Sequence, residues 1–234
     1  KYPCPDKEQL LWMLHKAADE EFAMEGVILP LWAGAGLLIG VILAIPTRKL
    51  LGARPTATIH LTGALPALTA IAFTILAWRL GDQFDLLLFS ALAAGGIPLG
   101  AVDALERRLP SRLLLPTASA VASLVLVSAT VNTQLFRLVH ALAGMTTLAL
   151  LYLGIALLTS GGLGAGDVKL GGLLGLALGW LGWSELVAGT VLGWLAANLA
   201  WLALRAIGRL THDSTLPLGP FLLLGAFLVA IFPT

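Results

Sequence analysis

The sequence predicts an all-α polytopic membrane protein in which about eight transmembrane helices form one bundle. Three observations carry that prediction. Apolar residues make up 58% of the chain and charged residues only 12%, the composition of a membrane protein. Mean hydropathy is +0.92, and the polar residues fall in short clusters between long hydrophobic runs. Several of those runs reach the roughly 20 residues that a helix needs to cross a hydrocarbon core. No polar stretch is long enough for a separate soluble domain, and a net charge of +1 argues against nucleic acid as a partner. Cys4 is the single cysteine, which rules out an internal disulfide and a cysteine-based zinc site.

Residues 1–23 are polar and unlike the remainder of the chain. Leu10, Leu11, Met13, Leu14, Ala17 and Ala18 fall at helical spacing and suggest a short amphipathic helix. Met24-Glu25-Gly26 leads straight into the first apolar run in the manner of a translation start. Residues 1–23 are therefore expected to be an added leader or an extracytoplasmic N-terminal segment, and 24–234 the transmembrane domain.

By length the spans are expected at 27–45, 59–80, 84–102, 113–131, 135–158, 168–183, 186–207 and 216–232. The first carries Gly34, Gly36 and Gly40, and the sixth Gly171, Gly172, Gly175 and Gly179, a recurrence of small residues that lets helices approach closely in lipid. Trp32, Trp78, Trp180, Trp183 and Trp201 lie near expected span ends, where indole favours the membrane interface. Arg48, Lys49 and Arg54 fill the first connection, Arg107, Arg108 and Arg112 the third, Lys169 the fifth, and Arg205 and Arg209 the seventh. The opposite side carries only Arg79 and Arg137. By the positive-inside rule the odd-numbered connections are cytoplasmic and both termini lie outside.

This topology has a chemical consequence. The third span runs inward and ends at Val102-Asp103, and the sixth begins at Gly166-Asp167, so both carboxylates belong to the cytoplasmic ends of helices. Ionisable side chains at membrane depth cost roughly 2.5–3.5 kcal/mol on insertion scales, and their presence calls for a function. Two carboxyl groups that share a site do not readily ionise together, and such a pair can serve as general base and general acid on a water held between them. The structural alternatives are a helix cap for Asp167 and a solvated helix end for Asp103 beside Glu106, Arg107 and Arg108. Lys169 could stabilise the ionised pair or attract an acidic group of a substrate, or could simply snorkel to the interface. His15, His60, His140 and His212 have no partner at ligand spacing, so no metal site is expected. The glycine-rich stretch lacks the Gly-Lys-Ser/Thr ending of a phosphate-binding loop.

Gly164-Ala165-Gly166-Asp167-Val168-Lys169-Leu170 resembles the Gly-x-Gly-Asp-Val-Lys-Leu signature of the type IV prepilin peptidases, which are membrane aspartic proteases. The block from Val102-Asp103 through Arg107-Arg108-Leu109-Pro110 to Leu114-Leu115-Pro116 is similar to that family's first-aspartate segment, and Leu216-Pro217-Leu218-Gly219-Pro220-Phe221-Leu222 to the element at the start of its last span. The resemblance implies that Asp103 and Asp167 are the catalytic pair and that Gly164 and Gly166 shape the loop; Lys169, two residues after Asp167, is expected to bind substrate or shape the site. It implies a prepilin or pseudopilin substrate, cut between a basic leader and an apolar helix on the cytoplasmic face of the bacterial inner membrane, in service of a type IV pilus or secretion. Proteolysis so conceived requires no cofactor. S-adenosylmethionine would enter only if the product is also methylated, as in family members that insert a domain with two Cys-x-x-Cys pairs after the first span; here 46–58 is a short basic connection without cysteine. Two other classes share these acids. A presenilin-like intramembrane protease would cut inside the apolar span of its substrate, but the Pro-Ala-Leu element expected of it is replaced by Leu216-Pro217-Leu218-Gly219-Pro220. A proton-coupled transporter would use Asp103, Asp167 and Lys169 as a relay, although the acids fall at helix ends and no inverted repeat is evident.

Overall fold

The computed structural model describes residues 7–51, 55–80, 83–159, 163–208 and 216–232, of which 7–25, 55–59, 61 and 83 are described by backbone alone. Arg54, Gly161, Gly162, Arg209 and His212 lie outside the described residues.

Every described element is a helix: α1 (Lys7–Leu50), α2 (Pro55–Arg79), α3 (Gln83–Glu106), α4 (Ser111–Val131), α5 (Leu135–Leu158), α6 (Ala165–Leu181), α7 (Trp183–Ala206) and α8 (Gly219–Ile231). Six contain stretches long and apolar enough to cross a membrane, namely those in α1 to α5 and α7. The chain is a multi-pass membrane protein. Helices α6 and α8 are apolar but shorter, at 17 and 13 residues, or about 25 and 20 Å against a hydrocarbon core of about 30 Å. Residues 216–218, expected inside the last span, are not helical, because Pro217 and the Gly219-Pro220 pair delay the helix start. At the other end of the chain, α1 runs without interruption from Lys7 through Met24 into the first span.

In lipid the core cannot be read from hydrophobicity, since the outside is apolar too. Leu31, Leu38 and Ile42 of α1, Leu150 and Leu157 of α5, and Leu199 of α7 all face outward. The interior is instead built around α6, whose run from Leu170 to Trp180 is buried on every side, and around α3, the most enclosed of the long helices. Helix α5 lies along α6, α7 along α8, α4 against α3, and α1 against α2, with α3 also touching α8.

Glycine makes these approaches close. On α6, a Cβ at Gly179 would stand 2.7 Å from the His140 carbonyl oxygen, and Gly175 meets the backbone of Gly144. Gly225 of α8 meets Gly189 and Gly193 of α7 in the same way, and Gly40 of α1 would put a Cβ 2.5 Å from Pro66 Cα of α2. Gly36 behaves alike, whereas Gly34 faces open space and Gly172 makes only ordinary contact. Carbon that cannot fit forbids any larger residue at the close positions, so backbone rests on backbone and dispersion holds the helices together.

Polar contacts level the two ends of the bundle. At one end Arg79 Nε donates to the Ile231 carbonyl at 3.0 Å, tying α2 to α8. There too Trp180 Nε1 donates to Asp85 Oδ1 at 2.7 Å, with Arg137 3.9 Å from the same carboxylate and stacked on the indole. Trp180 is thus buried and structural, in contrast to the interfacial position expected of it. At the other end Arg108 donates to the Leu50 carbonyl at 3.1 Å and Lys169 Nζ to Ser111 Oγ at 3.2 Å.

The seam between α5 and α6 is open to direct test. Gly175→Leu should lower stability by about 1–3 kcal/mol through overpacking, while Gly34→Leu should change it by less than about 0.5 kcal/mol. Thermal unfolding of both variants in the same detergent measures the contrast, and equal effects would contradict the packing described.

Candidate active site

The two aspartates singled out by sequence arrive from different helices. Asp103 lies in the last turn of α3 and is 4% exposed. Its Oδ2 accepts a hydrogen bond of 2.9 Å from the backbone N–H of Gly219, the first residue of α8. A helix start has unpaired N–H groups and a partial positive charge, so it suits a carboxylate. Gly219 is required by space: a Cβ there would stand 2.8 Å from the same oxygen.

Asp167 lies in the first turn of α6, half-buried, with its Oδ2 accepting a bond of 3.1 Å from the N–H of Gly164. Gly164 is the N-cap and offers no side chain, so only the acidic half of a capping box exists. The capping role foreseen for Asp167 is therefore present, and it fixes the carboxylate at the helix mouth. Gly166 does different work. A Cβ at Gly166 would stand 2.7 Å from Leu109 Cβ, in the link that follows Asp103, so its bareness lets the start of α6 close on the α3–α4 connection.

Both carboxylates line one open cleft of about 700 Å³. The cleft is bounded by the starts of α6 and α8, the end of α3 and the later turns of α5 and α7. Ile155 and Thr159 at the end of α5 form one wall. Trp194, Asn198 and Trp201 of α7 form another, a single helix face about 10 Å long at this spacing. Leu216, Pro217 and Leu218, with Arg107, Leu163 and Gly164, complete the lining. Arg107 holds a left-handed conformation, φ 51°, that ends α3.

Beneath the cleft sits an aromatic floor. Trp194 Nε1 donates to the hydroxyl of buried Tyr152 at 3.0 Å, and the two rings lie nearly parallel, 18° apart. The Tyr152 ring rests against Gly171, one helical turn below Asp167, where a side chain would collide with it. Tyr152, Trp194 and Asn198 were missed by the sequence reading. A signal for two of them was there, since Trp194, Asn198 and Trp201 recur at helical spacing and Asn198 is a polar residue inside an apolar run.

Lys169 is exposed, turned to Ser111 of α4, and not part of the cleft lining. Among the described residues no group of His, Cys, Asp or Glu side chains could hold a metal ion. His60 is exposed, and His140 packs against Phe136 with ring centroids 4.2 Å apart and the planes tilted by 58°. The arrangement brings two carboxylates, each with one oxygen fixed by a backbone N–H, to the lining of one open cleft. Such a pair can bind a water molecule, remove a proton from it and return a proton to a leaving group.

Comparison with known proteins finds no match: no family model, no curated protein and no solved structure is similar to this chain.

Gly219→Ala isolates the hold on Asp103. The methyl group should drive the carboxylate off the Gly219 N–H and cost about 1.5–3 kcal/mol, the range for a hydrogen bond to a charged group. In an Asp103→Ala background the same substitution should cost much less. Unfolding of the four proteins forms a double-mutant cycle, and a coupling indistinguishable from zero would remove this bond from the account.

Proposed function

We propose that the protein is a membrane aspartic endopeptidase that removes the basic leader of type IV prepilins or pseudopilins, with Asp103 and Asp167 as the catalytic pair. The observation that carries this reading is the presence of both carboxylates in one open cleft, although they belong to helices well separated in sequence. The three ordered sequence blocks around Asp103, Asp167 and Gly219 supply the substrate class.

In the proposed reaction one aspartate, ionised, takes a proton from water while the other, protonated, polarises the scissile carbonyl. The oxygen of that water forms the new C–O bond, and the C–N bond breaks as the amine takes up a proton from the pair. The backbone donors Gly219 N–H and Gly164 N–H keep each carboxylate in place without consuming its second oxygen. Trp194 and Trp201 offer flat apolar faces to the start of the substrate helix, and the Asn198 side chain, which donates to the Trp194 carbonyl at 2.8 Å, keeps its amide oxygen to accept from a substrate N–H. From Met24 onward the described basic residues support a cytoplasmic cleft, since Arg48, Lys49, Arg107, Arg108, Arg112, Lys169 and Arg205 fall at the cleft end and Arg79 and Arg137 at the other; Lys7 and Lys16, in the polar N-terminal part of α1, precede the first span.

Asp103→Asn and Asp167→Asn should each lower cleavage of a co-expressed prepilin by at least about a thousandfold, as expected when a member of a unit is removed, and leave membrane insertion intact. Mass spectrometry of the product reads the cut position and any added methyl group. A cut after the glycine that ends the leader supports the proposal. A cut inside the apolar helix, or substantial cleavage by both variants, would overturn it.

A further inference from the structure

Away from the cleft, the outer surface where α2, α3 and α8 meet carries two apolar hollows of about 240 and 230 Å³. They share Ile97 of α3 and Phe227 of α8 and so form one groove. Three helices enclose it, because α2 barely touches α8 along this line. Ala72 of α2 keeps the floor low, and Gly96 and Gly100 of α3 let Leu223 of α8 sink against α3.

The groove has a direction. Along α8 it runs from Pro220 to Ile231, about 16 Å at helical rise, which matches the roughly 15 Å that one leaflet contributes to the hydrocarbon core. Its walls are apolar over that whole length. At the Ile231 end stands Arg79, exposed, with Nε donating to the Ile231 carbonyl at 3.0 Å and its guanidinium 5.0 and 5.6 Å from the Phe232 and Trp78 rings. Those contacts fix the guanidinium beside Ile231, which lines the groove's end, while its terminal nitrogens keep donors for an oxyanion. Phosphate is the anion such a fork suits, and Trp78, 61% exposed, is a residue of the headgroup region. A helix, at about 10 Å across, is too broad for hollows of this volume.

We propose that this groove is a phospholipid site: one acyl chain lies along α8 between α2 and α3, and Arg79 holds the phosphate. The proposal is independent of the peptidase reading, because Arg79 lies at the opposite end of the bundle from the cleft and no residue lines both the groove and the cleft. It assigns a partner to a cation that topology alone leaves on the sparsely charged side.

Native mass spectrometry of the delipidated full chain, titrated with dioleoyl phosphatidylglycerol or with a galactosyl diacylglycerol bearing the same chains, provides the test. Phosphatidylglycerol should be retained one to one, and the galactolipid, which lacks phosphate, roughly tenfold more weakly. Arg79→Gln should bring phosphatidylglycerol down to the galactolipid level. Ala72→Phe, which fills the floor, should weaken both, and Ile75→Trp, on the exposed rim, gives the same reading if the first variant does not fold. Equal retention of the two lipids with no effect of Arg79→Gln would overturn the phosphate contact. Full retention of phosphatidylglycerol in a folded groove-filling variant would overturn the site.

Discussion

A carboxylate at the depth of a bilayer must be met by donors that belong to the protein, and that requirement, satisfied for Asp103 by the first N–H of α8, governs the rest of the structure. It fixes where α8 begins. It demands glycine at the contact, since any side chain there would displace the acid. It also places the Leu216–Leu218 backbone beside the cleft, because the chain must arrive there before turning into the helix. Asp167 meets the same requirement within its own helix, through Gly164, so the two acids are held by different means and by separate elements.

The second acid depends on packing at a distance. Helix α6 carries Asp167 at its mouth and a nearly continuous glycine face below, and it is pressed against α5 at Gly144 and against the Tyr152 ring at Gly171. Because the helix is buried all round, any residue that thickened it would move its start relative to α3. The Gly166 contact with Leu109 closes the remaining distance. Positioning of the cleft is thus spread along the whole of α6, and the opposite end contributes through the Trp180, Asp85 and Arg137 cluster.

Much of the fold was legible because membrane helices are written in runs of apolar residues. The span expected at 135–158 coincides with α5, and that expected at 113–131 differs from α4 by two residues at its start. Misreadings came where hydropathy and backbone conformation part. Residues 216–218 are apolar yet not helical, since Pro217 and Pro220 count as part of a span but delay a helix. Trp180 was assigned to the interface by type, and no hydropathy scale could show that Asp85 would receive its N–H inside the bundle. Counting spans put the two aspartates at one end, and both line the cleft there. Which α7 face would oppose them depends on helix rotation, a property of packing, so Trp194 and Asn198 escaped notice although their spacing marks a face. The turning of Lys169 toward Ser111 was equally hidden, because adjacency in sequence says nothing of direction around a helix.

The brevity of α8 bears on the surrounding bilayer. With 13 residues, about 20 Å, against a resting hydrocarbon thickness of about 30 Å, the sheet of lipid beside it is mismatched by about 10 Å unless it thins. The apolar groove follows nearly the whole of α8, from Pro220 to Ile231, so the shortened stretch is also the stretch that faces lipid chains. The protein should therefore sit in a local dimple of the bilayer, and its neighbours in the membrane would sense that depression as an elastic attraction.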